Sequence, residues 1–195
     1  MYKLCKTEQS AKRQREIESI MLSLMCEKRF DDIKVSEICD IANMPRKAFY
    51  RYFDSKDSAL QAMIDHNVTD YQTYTVSRGH RKRTLQGEFE EFFIFWKDKK
   101  RLLDAFEKSN LTGLLIQSSS SNMVGEFVNI KKFLPDEDED TRTQVFPFAI
   151  AGLITITINW YRSGFKASVA DMARVASRLV SKPLFPSLNK YGIEI

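Results

Sequence analysis

Arg46, Lys47, Arg51 and Lys56 are interleaved with Phe49, Tyr50, Tyr52 and Phe53 in one short stretch, ANMPRKAFYRYFDSK, residues 42 to 56. These side chains are poorly equipped to break bonds, but they can hold a negatively charged partner. Arginine and lysine offer N–H donors to oxygen anions, and a tyrosine hydroxyl donates without carrying charge. Phe49 and Phe53, spaced i and i+4, share one face of a helix and call for burial, while Tyr50 and Tyr52 point away from them.

Other chemistries find few residues to carry them. The sequence has no Ser-His-acid set, no paired-carboxylate arrangement, no metal-ligand spacing and no glycine-rich phosphate loop, and its two histidines, His66 and His80, have no close cysteine. Cys5, Cys26 and Cys39 lie 21 and 13 residues apart, which makes neither a disulfide framework nor a metal clip. Cys26 and Cys39 read as small buried hydrophobes. The expectation is a binding protein that is not an enzyme, with no metal and no cofactor.

The elements that position the basic and aromatic residues are helices. With 7 glycines and 5 prolines in 195 residues, and apolar residues recurring at three and four spacing almost throughout, the chain reads as all-α. Ile17, Ile20, Met21, Leu24 and Met25 form one stripe of a helix from about Glu8 to Arg29. A short helix from about Val35 to Ala42 follows, with Val35, Ile38 and Ala42 inward. Asn43, a residue that enters the left-handed region at little cost, marks a turn. Pro45 suits the first position of the next helix, and Asp54 or Ser55 the N-cap of the one after, which runs from about Lys56 into the seventies. The phenylalanine-rich stretch 85 to 110 gives one or two helices, and 111 to 128 another. ITITIN, at 154 to 159, alternates like a strand, but Ile154, Ile158 and Tyr161 also keep helical spacing, so a helix over about 141 to 163 is expected. The last helix spans about Ser168 to Val180.

Helix, turn and helix around Asn43 make a helix-turn-helix. In such a unit the second helix enters the DNA major groove with its N-terminal residues at the base edges, while flanking groups hold phosphates. Arg46 and Lys47 are then placed to read guanine or grip the backbone, Ala48 can touch a thymine methyl, the Tyr50 and Tyr52 hydroxyls can reach phosphate oxygens, and Lys56 opens the next helix at an anion-favouring position.

The stretch KVSEICDIANMPRKAFYRYFDSKDSAL, 34 to 60, resembles the DNA-binding signature of the TetR family of bacterial transcriptional regulators, with Ile38, Ala42, Phe49, Tyr50, Phe53 and Lys56 on the pattern. Lys34, Asn43, Pro45 and Ala48 depart from it, standing where threonine, glycine, serine and threonine are usual. The resemblance implies DNA contacts by Lys34, Ser36, Pro45, Arg46, Lys47, Ala48, Tyr50, Arg51, Tyr52 and Lys56. It implies a helix-turn-helix domain over 1-55, the N-terminal three-helix head, and a larger helical domain over 56-195 that binds an effector and dimerises. Residues 148 to 179 are similar to the end of many such regulators, which implies a dimer interface carrying Ile154, Ile158, Trp160, Tyr161 and Val175. Phe92, Trp96, Phe106 and Leu114 would line an apolar ligand pocket, or serve as ordinary core. The implied protein is a homodimer on a palindromic duplex operator, a repressor released by a small, apolar ligand; the alternative is a TetR-like interaction module controlled by a protein partner or without ligand.

Charge adds a weaker hint. The whole chain carries +4 from 30 basic and 26 acidic residues, but residues 1 to 15 hold five cations against Glu8, while 136 to 140 read DEDED. The longest apolar run, 146 to 158, is 13 residues with a proline, short of a membrane span, and no apolar signal core opens the chain. A cytoplasmic protein without a membrane segment is expected.

Overall fold

The computed structural model describes residues 2, 3, 5, 7–78, 84–123 and 138–181. The basic cluster at 79 to 83 with His80, the acidic run up to 137 and the tail from 182 lie outside the described residues. Helix α1, Glu8–Glu27, begins where Thr7 Oγ1 accepts the Ser10 N–H at 3.2 Å, and buries Ile17, Met21, Leu24 and Met25. A 3-10 turn, Phe30–Asp32, leads into α2, Val35–Ile41, whose start is tied to the end of α1 by an ion pair of Glu37 with Lys28. Asn43, at φ 46°, makes the expected left-handed turn, and the Arg13 guanidinium braces it by donating to Ala42 O at 2.7 Å.

Helix α3, Arg46–Phe49, has only four residues, with Pro45 as its N-cap. So short a helix does not stand by its own hydrogen bonds. Phe49 and Phe53, both 0% exposed and with ring centroids 5.3 Å apart, hold it onto the head. Helix α4, Lys56–Ser77, is capped by Ser55, whose hydroxyl accepts the Ser58 N–H at 3.2 Å.

Beyond the head lie α5, Leu85–Asp98, α6, Lys100–Lys108, α7, Thr112–Met123, α8, Glu139–Arg162, and α9, Val169–Ser181. Among the described residues there is no strand, only a single bridge of Tyr2 with Phe53. ITITIN is helical, as its i, i+4 spacing predicts: Ile154 and Ile158 face inward and the bundle offers no strand to pair with. By length and composition alone α8 could cross a membrane, against the expectation from the apolar run; here its Ile150, Leu153, Ile154 and Ile158 side is buried, and α8 lies along α7 as α9 lies along α5. Gly164, at φ 74°, ends α8 in the left-handed region that a side chain would strain, and lets the Phe165 N–H return to Trp160 O at 2.9 Å.

One apolar core runs without a break from α1 to α9. Head and bundle also meet through polar groups. Ser109 Oγ accepts the buried Phe30 N–H at 2.9 Å, and Lys108 Nζ reaches Cys26 O at 2.6 Å and Glu27 O at 3.0 Å, so the end of α6 caps the end of α1. On the other side of α1, Glu18, 3% exposed, takes a bond from His66 of α4 at 2.8 Å.

Candidate nucleic-acid interface

The two faces of α3 have opposite fates. Phe49 and Phe53 vanish into the head, while Pro45, Arg46, Lys47, Tyr50 and Arg51 are exposed. Ala48 and Tyr52 are half-buried, the Tyr52 ring lying 6.4 Å from that of Phe53. Arg46 leans along its own helix, with Nη2 donating to the Tyr50 hydroxyl at 3.2 Å and its carbon 5.8 Å from the ring centroid. That contact straightens the side chain without removing most of its donors, since guanidinium has five. Lys34 and Ser36 are exposed where α2 begins; the Lys34 N–H donates to Glu37 Oε2 at 3.3 Å and its side chain is left outward. The turn at Asn43 therefore leads into α3 and the turn that follows it, whose outer side carries three cations and a phenol, with no carboxylate among residues 46 to 51.

Lys56 behaves otherwise than a phosphate-gripping residue. Its Nζ donates to Phe30 O at 2.8 Å, Asp31 O at 2.9 Å and Ile33 O at 3.1 Å, and stands 4.6 Å from the Phe30 ring centroid. An ammonium has three N–H donors, and all three are engaged inside the head. Its charge thus ties the 3-10 turn to the start of α4.

The expected dimer residues divide by their exposure in the single chain. Ile154, Ile158 and Trp160 are 2%, 3% and 3% exposed in the single chain, with Trp160 Nε1 donating to Ala167 O at 3.0 Å, so they fill the chain's own core. Tyr161 donates its hydroxyl to Asp104 at 2.7 Å; burial, and then this bond, push its phenol up to about 12. Of the five, Val175 alone is exposed, at 49%, together with Leu179 one turn on at 44%, Val180 and, on α8, Phe148.

The residues read as pocket or core sit in packed surroundings. Phe92, Trp96 and Phe106 are buried and Leu114 is half-buried; the Phe92 ring meets those of Tyr71, Phe93 and Trp96. Two clefts open on the head instead. One of 270 Å³ is lined by Ser19, Ile20, Ser23, Leu24, Glu27 and Ile41. The other, of 390 Å³, lies beside the turn at Asp40, Asn43 and Pro45.

Sequence reasoning missed one neighbour of α3. Lys3 donates from Nζ to Tyr50 O at 3.1 Å and from its N–H to Tyr52 O at 3.0 Å. The excess of cations in residues 1 to 15 was the available signal.

No protein-family profile and no curated protein matches the chain. Several solved structures resemble it. The fatty acid degradation regulator FadR from Bacillus halodurans aligns with a TM-score of 0.61 over 93% of this chain and 98% of that one, at 14% identity. The dihydroxyacetone kinase operon activator DhaS aligns with a TM-score of 0.56 over 87% and 94%, at 15% identity. A tetR-family transcriptional regulator from Streptomyces coelicolor aligns with a TM-score of 0.53 over 85% and 78%, at 17% identity. At such identities the likeness is one of fold.

Proposed function

We propose that this chain, whose fold is that of the TetR-type regulators, binds duplex DNA through α3 and regulates transcription. The observation that carries the reading is the division of α3 and the turn after it: an apolar side at 0% exposure that fixes the helix, and an outer side bearing Arg46, Lys47, Tyr50 and Arg51. In the major groove Arg46, at the first turn, meets base edges, while Lys47, Arg51 and the tyrosine hydroxyls meet phosphates. The head spans 1-55 and the bundle 56-195, and the protein works in the cytoplasm. Arg46→Ala should cost about 1 to 3 kcal/mol of affinity per half-site and relax the preference at one or two base pairs, as read by titrating a duplex selected by the wild type from genomic DNA and a scrambled one. Equal losses on both duplexes would move base reading away from Arg46.

Two chains would act together, because a two-fold dimer matches a palindromic operator with successive half-sites about one helical turn apart. Val175 and Leu179, i and i+4 on α9, support this interface. The double variant Val175→Glu and Leu179→Glu should sediment as a folded monomer where the wild type is a dimer. A wild type that is already monomeric at micromolar concentration overturns the dimer.

As a repressor, the protein would be released from its operator by a small apolar molecule entering among Phe92, Trp96, Phe106 and Leu114. Parting those rings shifts α5 and α6, and the end of α6 holds α1 through Lys108 and the 3-10 turn through Ser109. Effector and DNA affinities must then be linked reciprocally. The close packing of Phe92 against Tyr71, Phe93 and Trp96 favours a second reading, a regulator of this fold that takes no ligand or answers to a protein partner.

A further inference from the structure

The start of the chain is laid across the head. Tyr2 pairs with Phe53 in an antiparallel bridge, and the Lys3 N–H donates to Tyr52 O at 3.0 Å. From the α1 side Gln14, 2% exposed, donates to Lys3 O at 3.1 Å. The Tyr2 ring stands edge-on to His66 of α4 with centroids 5.8 Å apart. Burial and then a hydrogen bond with Asp65 push the Tyr2 phenol up to about 12, as expected of a ring wedged between elements. The backbone of this arm is thus fixed from two sides, and its path runs from α4 to the C-terminal end of α3.

Its one described cation is turned outward. Lys3 is exposed, and Nζ uses one of its three N–H donors on the Tyr50 carbonyl at 3.1 Å. The arm therefore sets an ammonium at the same edge of α3 as Tyr50 and Tyr52. The charge already favours that bond at the C-terminal end of α3, but the bond occupies only one of the three donors and leaves the ammonium exposed. An ammonium left at the surface on the backbone of Tyr50 suits an oxygen anion of a polymer whose phosphates recur at fixed spacing.

We propose that the arm carrying Tyr2 and Lys3 is a further DNA-binding element, in which Lys3 takes a backbone phosphate next to the one met by the tyrosines. This rests on the reading of α3 as the DNA-binding helix. The arm reads no bases. It adds one phosphate contact per head and fixes the position of α3 against the duplex.

The test is a salt titration of full-length protein binding to a fluorescent mixed-sequence DNA duplex, which registers phosphate contacts whatever the operator is. Lys3→Gln, able to keep the bond to Tyr50 O but uncharged, should lower the slope of log affinity against log salt by about 0.9 per head, Lys3→Ala should do the same, and Lys3→Arg should restore the slope. Lys166→Ala, on the turn between α8 and α9, should leave it unchanged. A Lys3→Gln slope equal to wild type, with that of Lys47→Ala lowered, overturns the arm while leaving α3 in place. A wild type that fails to bind the duplex at low salt overturns the DNA-binding reading and the arm together.

Discussion

Phe49→Ala should lower the stability of the folded chain by about 4 kcal/mol and its melting temperature by about 10 °C. Phe49 is 0% exposed, and its ring lies 5.3 Å from that of Phe53 and 5.5 Å from that of Tyr50. Truncation to alanine removes the buried ring and leaves a cavity that a four-residue helix cannot collapse to fill. The helix is held by packing rather than by its own hydrogen bonds, so the loss falls on its orientation as well as on the fold. DNA affinity should drop even at temperatures where the variant is still folded. Phe49→Leu, which keeps most of the volume, should recover most of both losses. Thermal melting followed by circular dichroism gives the first quantity and duplex binding the second. An unchanged melting temperature would mean that α3 is anchored by other residues.

Lys56→Ala should cost about 3 kcal/mol of stability and leave the salt slope of DNA binding where it was. A cation at the first position of a helix faces the positive end of the helix dipole, a placement that is unfavourable by itself. The three carbonyls of Phe30, Asp31 and Ile33, with the face of the Phe30 ring, outweigh that penalty. Hydrogen bonds to a charged donor contribute about 1.5 to 3 kcal/mol each when buried, and the half-buried setting of Lys56 reduces their sum. Urea denaturation of wild type, Lys56→Ala and Lys56→Gln measures the effect, with the glutamine variant between the other two. Undiminished stability together with a slope lower by about one unit would show the ammonium to be on phosphate instead.

Much of the head was legible because its signals are local. Asn43 needs only its own backbone to enter the left-handed region, Ser55 caps the helix that begins at the next residue, and Phe49 and Phe53 declare a buried face by spacing alone. The residues least legible are those whose partners lie far along the chain. Lys56 looks like a free cation in sequence because its acceptors are 23 to 26 residues away. Ile154, Ile158 and Trp160 announce an apolar face, but periodicity does not say whether the same chain or a second copy covers it. The break between α5 and α6 at Lys99 has neither glycine nor proline to mark it, which is why one helix and two read alike. Lys3 was hidden for the same reason as Lys56, since only the folded chain brings it to Tyr50.

If the outer side of α3 and of the turn after it holds DNA, capture of genomic fragments will depend on it. Wild-type protein and a variant with Arg46, Lys47 and Arg51 all replaced by alanine would each be incubated with sheared DNA of the source organism, and the retained fragments sequenced. All three residues are exposed, so the variant should melt with the wild type. Wild type should enrich a few fragments sharing a two-fold symmetric site, and the variant none. Equal enrichment by both proteins, or no enrichment by wild type, would contradict that role for α3.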